Sequence, residues 1–303
     1  MVRMPARRDV TVFLVLVFLL PWPVWVVEQL TGSQVLFFVA MICVAISTWV
    51  AVRYVWRPGN IRQATAIGPV RWKLCLLAAG LFILMEVVAI ALNAATGVFP
   101  VDLTDFSALR EAYGPDGSVG ALALRALGFS LVQLVLILPL AFCEEWGWRG
   151  YLLTRLSSRL GPWPAMVLIG AVAGVWHLPF YLGPWFSMGA DERQSFVPFV
   201  IYCVFFGVLL GLLRFAGGSI WPAVAAHAVN NTIVFGFLDL VAADADAQRN
   251  AWTTGLSGWQ GLLVMLVAIV ALASTPAVRR GMRVPDRTAV GASAPGAATA
   301  PGD

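Results

Sequence analysis

Long apolar runs dominate this chain, and its polar residues fall between them in short blocks. A helix needs about 20 apolar residues to cross a bilayer. Eight segments approach that length: 10–28, 34–56, 73–96, 121–143, 164–182, 196–214, 219–240 and 257–274. The fourth is predicted to continue as a helix through Arg149 toward Leu160. The fold class expected is therefore all-α, a polytopic transmembrane bundle of about eight helices. The first 20 residues, basic and then apolar, resemble a signal peptide. Pro21-Trp-Pro-Val-Trp25 follows instead of a small-residue cleavage site, so a retained first transmembrane helix is expected. The 57–72 connection contains Pro and Gly and has room for a short interfacial helix. The tail from Val284 is rich in Ala, Pro, Thr and Gly, lacks a core pattern and is expected to be disordered. No internal repeat is visible, which counts against transporters built on inverted repeats.

Charge adds an orientation. Sixteen of the 20 basic residues fall on one side of an eight-span arrangement. They are Arg3, Arg7 and Arg8; Arg53, Arg57, Arg62, Arg71 and Lys73; Arg149, Arg155 and Arg159; Arg214; and Arg279, Arg280, Arg283 and Arg287. The opposite loops hold Arg110, Arg193 and Arg249, together with acids such as Asp102, Asp105, Glu111, Asp116, Asp191, Glu192, Asp244 and Asp246. Cytoplasmic loops carry the excess of Lys and Arg, so both termini are expected in the cytoplasm. Composition agrees with a membrane protein. Hydrophobic residues make up 60% and charged residues 12%, with a mean hydropathy of +0.82; soluble domains run near 45–50% and about 25%. A net charge of +4 could suggest nucleic acid, but the basic residues sort by loop and form no binding patch. Cys43, Cys75, Cys143 and Cys203 lack metal-ligand spacing and read as packing residues.

Few ionisable residues interrupt the apolar segments, and those few are the candidates for chemistry. Glu144 and Glu145 end the run from Leu131 to Phe142. Glu145 and Arg149 are four apart, so on a helix they share a face and can pair. Glu144 lies about 100° away around the helix and can point elsewhere. The bland alternative is a helix end where Glu and Arg meet water. His177 lies in an apolar segment and could be a packed side chain. His227 and Asn231 are four apart and could be polar glue between helices; Asn230 falls on a different face. Taken together, the groups supply what hydration of an amide carbonyl needs. A carboxylate takes a proton from water, an imidazole orients that water, and a second imidazole with an amide donates to the oxyanion. The same side chains could also hold a metal. Glu86, inside the third segment, is either a cavity residue or a neutral acid bonded to a neighbouring helix. Arg125 reads as a snorkelling interfacial residue. Cys143, beside Glu144, opens a weaker cysteine-protease alternative.

These residues also carry a resemblance. Glu144-Glu145-x-x-x-Arg149, then His177, then His227-x-x-x-Asn231 are similar to the motifs of the CPBP family of CAAX proteases and bacteriocin-processing or self-immunity proteins. That family includes the type II CAAX prenyl endopeptidases. The similarity covers roughly residues 120–240, and Ala173 departs from a position where the pattern often has Phe. The resemblance implies Glu144 as general base, His177 as its partner in activating water, His227 and Asn231 as oxyanion donors, and Glu145 and Arg149 as support. It divides the chain into residues 1–120 (the first three helices), 121–275 (the catalytic core) and 276–303 (a basic cytoplasmic tail). The activity implied is intramembrane cleavage of a membrane-associated or lipidated protein or peptide, with the bilayer as environment and no nucleic acid. A divalent metal such as zinc is not required by the motifs, which lack the His-Glu-x-x-His of zincins; if one is present, Glu144, His177 and His227 are its ligands. A bacterial plasma membrane fits the Ala-, Val- and Arg-rich composition. A non-catalytic scaffold or immunity protein on the same fold, and a proton-coupled transporter, are the competing readings.

Reaching a common site poses a geometric problem. With the fourth helix ending near Glu144 and the fifth starting near Pro164, Glu144 and His177 would lie on the order of 20 Å apart. Either Glu144 sits deeper, or the fifth helix begins later.

Overall fold

A computed structural model describes residues 8–182, 192–234, 236, 240–243 and 250–283. The tail from Val284, Arg3, Arg7, Asp191, Asp244, Asp246 and Arg249 lie outside the described residues. Within them every regular element is helical, and one isolated antiparallel bridge joins Val101 to Ala242.

Helices occupy all eight apolar segments, but they are not equal. Five are long and apolar enough to cross a membrane: Arg8–Thr31, Phe38–Trp56, Trp72–Ala95, Val119–Leu160 and Phe196–Gly217. The first is α1 (Arg8–Leu19) running into α2 (Pro21–Thr31). The second is α3 (Gln34–Val50) with a π-helical turn at Ala51–Trp56. A short α4 (Ile61–Ala64) then lies in the 57–72 connection, as that stretch suggested, capped by Asn60. The third is α5 (Trp72–Ala95). Outside it, α6 (Ser107–Tyr113) follows a loop organised by Asp102. The Asp102 carboxylate accepts bonds from Thr104, Asp105 and Ser107, which hold it well below the usual carboxylate range.

The fourth span continues past the carboxylates as the sequence predicts. It comprises α7 (Val119–Glu145), a π turn at Trp146–Leu152 and α8 (Leu153–Leu160), 42 residues in all. The remaining expected spans are shorter. They are α9 (Pro162–Trp176, 15 residues) with the five-residue α10 (Leu178–Leu182), α12 (Trp221–Val229) with a π turn at Asn230–Val234, and α13 (Trp259–Ser274, 16 residues). Between them α11 (Glu192–Gly217) is the fifth long span. The last helix, α14 (Pro276–Arg283), bends 71° away from α13 after Thr275. Most of the bundle is one continuous core, and α7 is its most exposed long helix, with Leu124, Val132, Val135 and Leu136 turned outward. That is what a lipid-facing helix needs.

α9 packs tightly against α11. The seam is made by Gly170 and Gly174 on one helix and Gly207 and Gly211 on the other. A Cβ at Gly207 would lie 2.8 Å from the Gly170 Cα, and one at Gly170 would lie 2.6 Å from the Cys203 carbonyl oxygen. Small residues let helix backbones approach in this way where apolar solvent gives no drive to associate. Gly207→Ala is therefore expected to force the helices apart and to cost about 1–3 kcal/mol. Chemical denaturation in detergent checks this; an unchanged midpoint would show that the seam has slack.

Candidate active site

The chain runs well past the carboxylates before it turns back toward His177. From Glu144 the chain runs 17 residues to Gly161, whose φ of 81° reverses it. It returns 16 residues along α9 to His177. At about 1.5 Å per residue the two arms are nearly equal in length. Glu144 is buried, within a helix that continues to Leu160. The fifth helix does not begin late, since α9 starts at Pro162.

Glu145 is the hub of the site. One oxygen, Oε1, accepts from Arg149 Nη1 at 2.8 Å and from His227 Nδ1 at 2.8 Å. Glu145 is fully buried, and Arg149, His227 and Glu144 are buried with it. The expected Glu145–Arg149 pair is present; the bond to His227, 82 residues away, is new information. Oε2 of Glu145 has no hydrogen-bond partner among the described residues. Phe206 closes the side of this cluster, with His227 at its edge (5.2 Å between ring centroids) and the Arg149 guanidinium over its face at 5.9 Å. The π turn that follows Glu145 has a steric role as well. It brings Gly147 against α3, where a Cβ would meet Val44 at 2.5 Å. Such turns are frequent at functional sites, and another begins at Asn230, three residues after His227.

His177 ends α9 and is held on several sides. Its Nδ1 lies 2.7 Å from the Ala173 carbonyl oxygen. A carbonyl only accepts, so Nδ1 carries the proton and Nε2 the lone pair. Because the acceptor is backbone, the departure at Ala173 leaves this bond intact. Trp25 stacks against the ring at 5.9 Å, and Trp176 and Phe199 meet it edge-on at 4.7 and 5.1 Å. Trp176 is itself tied to the N-terminal helices. Trp22 Nε1 donates to the Trp176 carbonyl at 3.0 Å, and Trp176 Nε1 donates to Val17 at 2.7 Å. His227 is within electrostatic range of both Glu144 and His177, so the three sequence motifs form one neighbourhood.

Asn231 is half-buried, and its Oδ1 accepts from Asn230 Nδ2 at 3.2 Å. Asn230 is buried, and its Oδ1 accepts from Tyr202 at 2.8 Å. Helical spacing placed Asn230 away from the motif face; the site nevertheless includes it, as the direct neighbour of Asn231. Glu86 is buried on α5 and interacts electrostatically with Tyr202. Among the described residues no three His, Cys, Asp or Glu side chains are grouped so that they could hold a metal ion. The conditional ligand set Glu144, His177 and His227 therefore does not fit a metal in this arrangement, and no step below uses one.

The N-terminal helix grips the same region from the other side. Asp9 accepts from Tyr151 at 3.0 Å and from Arg155 Nε at 2.7 Å. Phe13 packs on Trp148 and Tyr151, in the π turn after the carboxylates. Asp9→Asn is expected to strand Arg155 and to lower stability by about 1.5–3 kcal/mol, as for a hydrogen bond to a charged group. The loss should be recovered in part by Arg155→Gln in the same chain. Thermal unfolding of the single and double variants measures this, and strictly additive losses would refute the coupling.

The family model described as Type II CAAX prenyl endopeptidase Rce1-like matches residues 125–233. That segment is similar to the Rce1-like family. Glu144, Glu145, Arg149, His177, His227 and Asn231 all lie within the matched segment, whereas α1 to α5 precede it. No curated protein matches the chain. With its apolar helices and this match, the chain is an integral membrane protein.

Proposed function

We propose that this Rce1-like protein is an intramembrane endopeptidase that cleaves a membrane-associated or lipidated protein or peptide. The observation that carries the reading is the Glu145–His227 bond, which joins the carboxylate motif to the second histidine motif inside the bundle. In this reaction Glu144 takes a proton from water, and His177 Nε2 accepts a hydrogen bond that orients that water. The hydroxide adds to the peptide carbonyl. His227 and Asn231 donate to the resulting oxyanion. His227 donates to Glu145 through Nδ1, so it can donate to the oxyanion through Nε2 only as the imidazolium. The Glu145 carboxylate is then its counter-charge. Glu144 returns its proton to the leaving amine as the tetrahedral intermediate collapses.

Both termini are placed in the cytoplasm on the distribution of Lys and Arg, and a bacterial plasma membrane is the proposed location. The test compares membrane proteomes of cells carrying the wild-type protein with cells carrying Glu144→Gln. A membrane precursor should accumulate in the variant, and His177→Ala and His227→Ala should reproduce it. Identical proteomes, with a cellular phenotype that survives Glu144→Gln, would instead identify a non-catalytic scaffold.

A further inference from the structure

We propose that Tyr202 and Asn230 are positioning residues that fix which end of the Asn231 amide faces the substrate. The inference rests on the peptidase reading above, in which Asn231 donates to the oxyanion. An amide side chain has a donor end and an acceptor end of nearly the same shape, so the neighbours alone decide its direction. Here the neighbours form a directed chain. The Tyr202 hydroxyl donates to Asn230 Oδ1 at 2.8 Å, and Asn230 Nδ2 donates to Asn231 Oδ1 at 3.2 Å. The oxygen of Asn231 is thereby taken up on the protein side. Its NH₂ group is the end that remains to be presented to a developing negative charge. Reversing the chain would offer that charge an oxygen instead, which repels it.

The surroundings favour a relay that does not rotate. Tyr202 and Asn230 are both buried. Tyr202 stacks on Phe206 at 5.6 Å, and Phe206 in turn meets the edge of His227. His227 directly, and Asn231 through Asn230, are thus tied to one aromatic wall supplied by α11. The π turn at Asn230–Val234 carries both asparagines. Asn230 is buried there, beside the half-buried Asn231. Asn93, two turns along α5 from Glu86, belongs to a separate polar cluster with Gln260 and Gly255 and does not enter this chain.

Two substitutions separate orientation from packing. Tyr202→Phe keeps the ring and removes the donor; kcat should fall about 3- to 10-fold with KM unchanged, as for one neutral hydrogen bond. Asn230→Asp keeps the shape but replaces the donor by an acceptor. At alkaline pH the carboxylate should draw the Asn231 NH₂ group toward itself, with kcat falling about 10²-fold, the effect of losing one oxyanion donor. The decisive measurement is a double-mutant cycle with Asn231→Ala, using the full chain in lipid nanodiscs and the precursor that accumulates in Glu144→Gln membranes. Once Asn231 is gone, neither substitution should lower kcat further. Losses that multiply with Asn231→Ala, or that appear in KM, would overturn the relay. Full activity of Glu144→Gln on the same precursor would overturn the peptidase reading itself, so the two failures are distinguishable.

Discussion

Glu144→Gln is expected to lower the rate of peptide cleavage by about 10²- to 10⁴-fold, the range for removing a general base, while the protein folds as before. The expectation of an intact fold comes from the division of labour between the adjacent acids. Glu145 holds the bonds to Arg149 and His227. Glu144 shares the burial but supports neither bond, so the amide that replaces it leaves the network standing. Its proposed role is the proton, and glutamine has nothing to take one with. Single-turnover cleavage by purified protein, paired with thermal unfolding in the same detergent, checks both halves. Cleavage within a factor of two of wild type would remove Glu144 from the mechanism. A collapse of stability would mean that its role is structural.

The second large effect should fall on stability. Arg149→Met leaves the Glu145 carboxylate buried without its arginine, and removing one partner of a buried pair costs about 3–5 kcal/mol. Adding Glu145→Gln should recover most of that loss. The new side chain is uncharged, and its amide oxygen can still accept from His227. Activity should not return with the fold, because the His227 imidazolium would have lost its counter-charge. Denaturation midpoints and cleavage rates of the wild-type, single and double variants test the pattern. A stable Arg149→Met protein would show that His227 alone suffices as the partner of Glu145.

How far the sequence leads depends on the distance over which each interaction acts. The eight apolar runs, the continuation of the fourth helix to Leu160 and the Glu145–Arg149 pair are local, and all were legible from spacing. The lengths of the later helices were less so. Hydropathy does not see the turn after Trp176 or the π turn at Asn230, which divide apolar stretches without changing their composition. The Glu145–His227 bond joins two helices far apart in sequence, and no periodicity announces it. Nothing in the sequence assigned Trp22 and Trp25 a place at the site, yet α2 packs them around Trp176 and His177. Asn230 was set aside because ideal α-helical geometry puts it on another face; the π turn changes that geometry. The paired glycines at 170 and 174, and at 207 and 211, carried a readable signal for close helix approach. Only the fold shows that each pair is the other's partner.

The reversal at Gly161 also limits how the chain can change in length. Two helical arms of nearly equal length lead from it, one to Glu144 and one to His177. One residue inserted within either arm would turn the group beyond it by about 100° and shift it by about 1.5 Å. Residues added at the reversal itself would leave both groups where they are. Point substitutions along the arms meet packing constraints of varying severity, but the residue count in each arm is a property the site cannot vary freely. Any drift in the length of this protein should therefore gather at the bend, and in the stretches that precede α7.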